Sequence, residues 1–241
     1  MILRPLLGKR VATTRDEPGR LDELLTGLGA EVVHVPLIEI VDADGDELGT
    51  ELAAGGYDWL IVTSHHGAAR VGPRLPTEVR TAAVGVKTAE VLSAGTGRAV
   101  DVVPSRQTAA ELLVAMPDPT TGSDRVLLAQ ADRAEPLLAE GLRARGYVVR
   151  TVVAYRTVLR QPTADELAAL RSVDAVLFAS GSAVHAWADV LGVWAPPDVV
   201  VIGPSTEKVA RQVGLVVTAV ADEHSVEGLA AATTLVLAGR P

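Results

Sequence analysis

Runs of β-branched and other apolar residues alternate along this chain with amphipathic stretches, a pattern typical of parallel βα units. The pattern predicts strands over 10–14, 31–41, 58–63, 81–85, 99–103, 125–129, 147–158, 174–179, 198–202 and 216–220. It predicts helices over 18–28, 107–115 and 163–171 between them. Thr163 with Glu166 three residues later forms a capping box at the start of the last of these helices. The sequence therefore predicts an α/β fold.

The same pattern occurs twice, since segments of the first half match segments of the second at an offset of 115 to 118 positions. The matches are RVATTR (10–15) with RVLLAQ (125–130), LGAEVVHV (28–35) with RGYVVRTV (145–152), YDWLIVTS (57–64) with VDAVLFAS (173–180), and AVGVKTAEV (83–91) with VIGPSTEKV (201–209). The chain is a duplicated α/β unit. Such folds place their chemistry in loops that follow the strands, so those loops are the first place to look for function.

Two of the predicted strands are unusually long. EVVHVPLIEIV (31–41) and YVVRTVVAYRTV (147–158) exceed the usual length of about five or six residues. We expect each to begin in one domain and to leave it as part of a two-stranded connector. The predicted organisation is a first domain of 1–36 and 160–241, a second domain of 44–152, and connector strands 37–43 and 153–159. A split between the two repeats, at PDPTTGSD (117–124), is the alternative.

Composition narrows the class of protein. Hydrophobic residues make up 48% of the 241 residues, which is ample for two buried cores. The absence of cysteine excludes disulfides, thiolate zinc sites and cysteine nucleophiles. A net charge of −8 and an aromatic content of 3% argue against nucleic-acid binding. No apolar run reaches the roughly 18 residues of a membrane-spanning helix, and the start lacks a signal-peptide cleavage site, so we expect a soluble cytoplasmic protein.

Four small, polar turns follow predicted strands and lead into helical stretches. They are Thr63-Ser64-His65-His66-Gly67, Gly85-Val86-Lys87-Thr88, Ser180-Gly181-Ser182 and Gly203-Pro204-Ser205-Thr206. Backbone N–H groups and hydroxyls at such turns form anion sites, and four of them would suit a ligand with several carboxylates or phosphates. The alternative is that the serines and threonines only cap the helices.

Several familiar sites are missing from the sequence. Neither a Walker phosphate loop nor a dinucleotide-binding G-x-G-x-x-G after a strand occurs. Ser180 stands in no G-x-S-x-G elbow, which argues against a hydrolase. The adjacent His65 and His66 have no H-x-x-x-H or carboxylate partner in the sequence, so no metal site is expected.

The order of these motifs resembles the uroporphyrinogen-III synthase family. The resemblance rests on TTR (13–15), PLIEI (36–40), YDWLIVTS (57–64), VGVKTA (84–89), AYRT (154–157), DAVLFASGSAV (174–184), IGPST (202–206) and SVEGL (225–229). It covers nearly the whole chain. It implies an α/β fold of two flavodoxin-like domains, each a five-stranded parallel sheet flanked by helices, joined by a two-stranded antiparallel connector.

The resemblance also implies an activity. Family members cyclise the linear tetrapyrrole hydroxymethylbilane with inversion of ring D, giving uroporphyrinogen III and water without a cofactor. It implies a monomer that meets hydroxymethylbilane synthase transiently and binds neither nucleic acid nor membrane. The rival interpretation is a non-catalytic, two-lobed tetrapyrrole-binding or regulatory module of the same fold.

The resemblance assigns roles to individual residues. Tyr155 matches the family's tyrosine and is expected to donate a proton to the departing hydroxyl; a phenol keeps its proton at neutral pH. The residues expected to hold substrate carboxylates are Arg15, Thr63, Ser64, Gly85, Thr88, Arg133, Ser180, Ser182, Gly203, Ser205 and Thr206. The chain departs from the family pattern T-S-P-x-A-V at His65, His66 and Gly67, and it has Ala179 where a threonine is common.

Overall fold

The computed structural model describes residues 4–120 and 124–238, which form two parallel-dominated sheets and ten α-helices. The strands are β1 (Arg10–Thr13), β2 (Glu31–His34), β3 (Ile38–Asp42), β4 (Trp59–Val62), β5 (Arg80–Ala83), β6 (Arg125–Ala131), β7 (Val148–Leu159), β8 (Ala175–Phe178), β9 (Asp198–Val201) and β10 (Ala219–Val220). The helices are α1 (Arg20–Gly27), α2 (Glu47–Ala54), α3 (His65–Val71), α4 (Val86–Thr96), α5 (Ala109–Ala115), α6 (Leu137–Ala144), α7 (Ala164–Leu170), α8 (Gly181–Leu191), α9 (Pro204–Gln212) and α10 (Val226–Ala238). A 3₁₀ turn covers Gly72–Arg74.

Contacts divide the chain into two compact units. One, here called the terminal unit, comprises Met1–Glu39 and Val158–Pro241, and the other, the central unit, comprises Ile40–Thr157. Every residue of 37–43 and 153–159 belongs to one unit or the other, so a separate connector stays a prediction. The alternative boundary at 117–124 falls partly on 121–123, which lie outside the described residues.

The sheet of the terminal unit has the order β10-β9-β8-β1-β2, and its neighbouring strands pair in parallel. Alternate residues of β8 enter opposite hydrophobic clusters, Ala175 and Leu177 on one face and Val176 and Phe178 on the other. Both faces are therefore buried, which explains the unbroken apolar run of this strand. Helices α1 and α10 cover one face, and α7, α8 and α9 cover the other.

The second sheet has the order β3-β7-β6-β4-β5, with parallel pairing from β7 to β5. Beyond β5, Ala82 forms an isolated parallel bridge with Val102. The predicted strand 99–103 is reduced to this bridge. The reason is local: the carboxylate of Asp101 accepts hydrogen bonds from the backbone N–H (2.7 Å) and the hydroxyl (3.0 Å) of Thr81, competing with the strand ladder.

The prediction of one long strand over 31–41 is wrong. The segment forms two strands in different sheets, β2 and β3, which are separated at Pro36. Pro36 has no N–H and cannot donate a strand hydrogen bond. The residues on either side of it, Val35 and Leu37, donate to the carbonyls of Thr13 (3.0 Å) and Thr14 (3.3 Å). The other long strand is confirmed, since β7 is 12 residues long.

The helix signals read from the sequence are also borne out. Helices α1, α5 and α7 lie within the predicted 18–28, 107–115 and 163–171. At the start of α7 the Thr163 hydroxyl accepts the Glu166 N–H at 3.2 Å, and the Glu166 carboxylate accepts the Thr163 N–H at 2.7 Å. This is the reciprocal geometry of a capping box.

Candidate functional site

The predicted binding residues all follow the carboxyl ends of strands. In the terminal unit, Arg15 follows β1, Ser180 and Ser182 follow β8, and Gly203, Ser205 and Thr206 follow β9. In the central unit, Thr63 and Ser64 follow β4, Gly85 and Thr88 follow β5, and Arg133 follows β6. Parallel strands end at one edge of their sheet, so each set gathers at the edge where open α/β sheets bind ligands. In both sheets the strand order reverses there, between β1 and β8 and between β6 and β4.

Two of the serines cap the helices that they precede. Ser64 is the N-cap of α3, and its Oγ accepts the N–H of His66 at 3.1 Å. Ser180 is the N-cap of α8, and its Oγ accepts the N–H of Ala183 at 3.2 Å while lying 2.9 Å from Ser182 Oγ. Both serines therefore cap a helix, and whether they also bind an anion stays a prediction; Thr63 lies half-buried at the end of β4.

The turn after β5 is occupied by a side chain that sequence reasoning missed. Gln107 places its Oε1 3.1 Å from the N–H of Val86, the first residue of α4. A Cβ at Gly85 would stand within contact distance of the same Oε1, so the Gln107 side chain lies directly over this glycine. Thr88, two residues into the helix, is buried at 6% exposure. The first backbone N–H of α4, part of the predicted anion site, is thus already bonded within the protein.

The equivalent turn of the terminal unit is built differently. Helix α9 begins with Pro204, which has no N–H to satisfy. The ring of His224 lies over this turn, with Cδ2 3.1 Å from where a Cβ at Gly203 would stand. His224 and Gln107 are 117 positions apart, within the repeat offset. That offset is the sequence signal that relates the two side chains. Ser205 is exposed and Thr206 buried at 2% exposure.

The two predicted arginines lie on the surface. Arg133 is 84% exposed, with Nε 3.9 Å from the carboxylate of the neighbouring Asp132. Arg15 is also exposed, and its guanidinium stands 4.0 Å from where a Cβ at Gly19 would be. Neither arginine is fixed by burial.

Tyr155 occupies a bulge in β7. The register with β6 pairs Gln130 with Val153 but Ala131 with Tyr155, so Ala154 is the extra residue. Because of this bulge, the consecutive residues Ala154 and Tyr155 enter one hydrophobic cluster, although neighbouring strand residues normally face opposite ways. The bulge therefore decides which way Tyr155, 7% exposed, presents its phenol.

Aromatic and charged groups from α3 surround Tyr155. The ring of His66 lies 5.5 Å from the Tyr155 ring at 62°, and His65 lies 3.9 Å from His66. The guanidinium carbon of Arg70 is 5.6 Å from the Tyr155 ring centroid. Arg70 was not predicted; its position four residues after His66 on one helix face was the available signal.

A polar cavity of about 400 Å³ lies beside this cluster in the central unit. Its charged lining consists of two ion pairs, Arg70 with Asp42 at 2.8 Å and Arg74 with Asp46 at 2.7 Å. Val153 and Ala154, next to Tyr155, form part of its wall. The charges of the lining are balanced pair by pair.

The terminal unit contains a buried polar network that the sequence did not suggest. Thr13 donates to Asp22 Oδ1 at 2.6 Å, Gly19 N–H donates to Oδ2 at 2.8 Å, and His34 Nδ1 lies 3.1 Å from the Thr13 hydroxyl and 3.6 Å from Asp22. Burial opposes ionisation of Asp22, but the neighbouring His34 and the hydrogen bonds from Thr13 and Gly19 outweigh it and lower the pKa of Asp22 to about 2. The network ties α1 to the ends of β1 and β2.

The described part of the chain lacks two further kinds of site. No group of three or more histidines, aspartates and glutamates there is arranged to hold a metal ion. No helix in those residues is long and apolar enough to span a membrane.

Comparisons with known proteins identify a matching family and structures of similar fold. The family model described as uroporphyrinogen-III synthase HemD matches residues 19–231. A solved uroporphyrinogen-III synthetase from Helicobacter pylori is similar in fold, with a TM-score of 0.68, 17% identity, and coverage of 96% of this chain and 99% of that one. A mutant uroporphyrinogen III synthase from Thermus thermophilus gives a TM-score of 0.59 and 20% identity, covering 97% and 100%. No curated protein sequence matches significantly.

Proposed function

The chain belongs to the uroporphyrinogen-III synthase family, and we propose that it converts hydroxymethylbilane into uroporphyrinogen III and water. The observation that carries the proposal is the family match over 19–231. The enzyme acts as a cyclising hydro-lyase in tetrapyrrole biosynthesis and uses no cofactor. It works in the cytoplasm as a monomer and receives its substrate through transient contact with hydroxymethylbilane synthase.

Tyr155 acts in this proposal as the general acid. Its O–H gives a proton to the hydroxyl of the terminal hydroxymethyl group, the C–O bond breaks, and water leaves. The cation that remains on the bilane is attacked by the last pyrrole at its substituted carbon, and the spiro intermediate opens and recloses with ring D inverted. Closure releases one proton from a pyrrole carbon, which returns to the phenolate. A positioned acid of this kind contributes roughly 10² to 10⁴ in rate.

The strand-end turns hold the substrate carboxylates in this proposal. Support comes from the turns of Ser64, Gly85, Ser180 and Gly203, each of which caps a helix whose N-terminal amides favour anions. An overall charge of −8 requires such local positive potential for a polycarboxylate to bind. Thr63, Thr88, Ser182, Ser205 and Thr206, with Arg15 and Arg133, complete the proposed set.

The proposed architecture is two flavodoxin-like domains joined by an antiparallel connector. Numbered in chain order within each sheet, β2-β1-β8-β9 and β5-β4-β6-β7 both follow the flavodoxin order 2-1-3-4. For the connector, Arg160 N–H donates to the Leu37 carbonyl at 2.9 Å, and Arg156 reaches Asp44 at 2.6 Å. Residue numbers rise on one segment as they fall on the other, which supports antiparallel pairing.

Isomer analysis tests the proposed reaction. Freshly generated hydroxymethylbilane is supplied to the purified protein without added cofactor, and the oxidised products, uroporphyrins I and III, are separated and quantified. We expect isomer III to predominate. Isomer I alone, formed at the rate of spontaneous closure, would contradict the proposal; measured binding of the bilane would then favour the non-catalytic module.

A further inference from the structure

Tyr155 is contacted by a cation that is held in place from two sides. Arg70 is only 22% exposed, and its Nε and second amino group lie 2.9 Å and 2.8 Å from the carboxylate of Asp42 on β3, the strand beside β7. Its other amino group donates to the His66 carbonyl at 3.0 Å. Two anchors leave the guanidinium little freedom, so its charge stays 5.6 Å from the ring centroid.

Residues of α3 pack against the Tyr155 ring at defined distances and angles. His66 approaches the Tyr155 ring with its own plane tilted by 62°, and Arg70 lies within the roughly 6 Å at which a cation is attracted to an aromatic ring. Gly67 lies between them in sequence, and a Cβ there would stand 3.9 Å from Tyr155 Cε1. The first turns of α3 thus fit closely against the bulge of β7.

We propose that Arg70 is a positioning residue for Tyr155. Its guanidinium fixes the orientation of the phenol ring and stabilises the negative charge that appears on the phenol oxygen when the proton moves to the departing hydroxyl. No bond to Arg70 forms or breaks, and the proton returns to the oxygen at ring closure. The inference rests on the proposed role of Tyr155 as general acid. A preorganised charge beside a group that becomes ionised lowers the barrier without reorganisation during the reaction.

Arg74 provides a matched comparison within the same helix and turn region. It also pairs with an aspartate, Asp46, at 2.7 Å, lines the same cavity and donates to the Arg70 carbonyl at 2.5 Å. Its side chain is 43% exposed. Arg74→Gln therefore removes the same charge and a similar ion pair close by, while the cation on the Tyr155 ring remains.

A double-mutant cycle of Arg70→Gln and Tyr155→Phe tests the inference through steady-state formation of isomer III. We expect Arg70→Gln to lower kcat about tenfold with KM changed less than about twofold, and Arg70→Lys to restore most of the loss. In the Tyr155→Phe background the same Arg70→Gln change should have no effect, because the phenol oxygen is gone. Arg74→Gln should leave kcat within about twofold of the parent.

The possible outcomes separate the two claims. If Tyr155→Phe retains full activity, the proposed acid is wrong and the inference falls with it. If Tyr155→Phe is slow but Arg70→Gln lowers kcat equally in both backgrounds, Tyr155 keeps its role and the inference alone is overturned. Asp42→Ala, which removes one anchor of Arg70 at an exposed site, guards against misfolding of the Arg70 variants; it should lower kcat less than Arg70→Gln, and only when Tyr155 is present.

Discussion

The two units share a strand order but fill equivalent positions with different chemistry. In the terminal unit, Thr13 on β1 pairs in register with His34 on β2, and Asp22 completes a buried polar network. In the central unit the corresponding pair is Leu128 with Thr151, and the residue equivalent to Asp22 by the repeat offset is the buried Ala139. The network that ties strand ends to a helix in one unit is replaced by apolar packing in the other.

The contrast between the units reverses around Tyr155, where the central unit carries the polar and aromatic groups. The central unit has Tyr155, His66 and Arg70, whereas the repeat offset places Ile38, Ser182 and Ala186 at the corresponding positions. The two units thus share strand order and turns at the carboxyl edge, but one holds a buried carboxylate network and the other a guanidinium beside a phenol ring. A shared strand order therefore does not imply that equivalent positions of the two units carry the same functional groups.

The largest effect is expected from Tyr155→Phe, which tests whether the phenol of the central unit takes part in the reaction. We expect kcat for isomer III formation to fall by about 10² to 10⁴ while the protein stays folded, because the ring remains and only the acidic proton is lost. Tyr57→Phe is the matched control, since it removes a buried phenol that bonds Glu51 in the same unit. Circular dichroism checks the fold, and a folded Tyr155→Phe with parental turnover would contradict the assignment.

Asp22→Ala tests the network of the terminal unit. It leaves the Thr13 hydroxyl and the Gly19 N–H without their carboxylate partner, so we expect a loss of about 2 to 3 kcal/mol in the free energy of unfolding. Urea denaturation measures it. Glu31→Gln is the control, because its ion pair with Arg10 is exposed and should contribute less than about 1 kcal/mol. Equal losses of unfolding free energy in the two variants would mean that the buried network stabilises the protein no more than the exposed ion pair does.

Acid should weaken the terminal unit through the same carboxylate. The folded-state pKa of Asp22, about 2, lies below its ordinary value of 3.8, so the folded state releases this proton more readily than the unfolded state. The stabilisation is complete above about pH 4 and is lost as the pH falls towards 2, amounting to about 2 kcal/mol. Thermal unfolding across this range, compared with Asp22→Asn, isolates the contribution; identical slopes for both proteins would refute it.

Alkali should weaken the central unit by a comparable amount. Burial, reinforced by the hydrogen bond to Glu51, raises the pKa of Tyr57 to about 12 from its ordinary 10.0. Above pH 10 the unfolded state ionises first, so stability falls between pH 10 and about 12, by about 2 kcal/mol. Tyr57→Phe should flatten this part of the unfolding profile, and a profile unchanged by the substitution would count against ionisation of Tyr57 as the cause.

Elements and caps could be predicted from the sequence where the cause is local. The apolar runs of β4 and β8 and the capping box at Thr163 depend on nearby residues. The split at Pro36 could not be read from hydrophobicity, because both resulting strands remain apolar. The candidate site divides in the same way: its turns follow the strands in sequence, whereas the Tyr155 bulge and the contact with Arg70 arise from pairing and packing between distant segments.

The discontinuity of the terminal unit sets an order of events during synthesis. When residue 157 leaves the ribosome, the central unit has its whole sequence, while the terminal unit has only β1, α1 and β2. Strand β1 lies in the interior of its final sheet and must wait for β8, made more than 160 residues later, to cover its open edge. Until β8 emerges, the nascent chain exposes the open edge of β1, and chains with an open strand edge are prone to aggregation and to capture by chaperones.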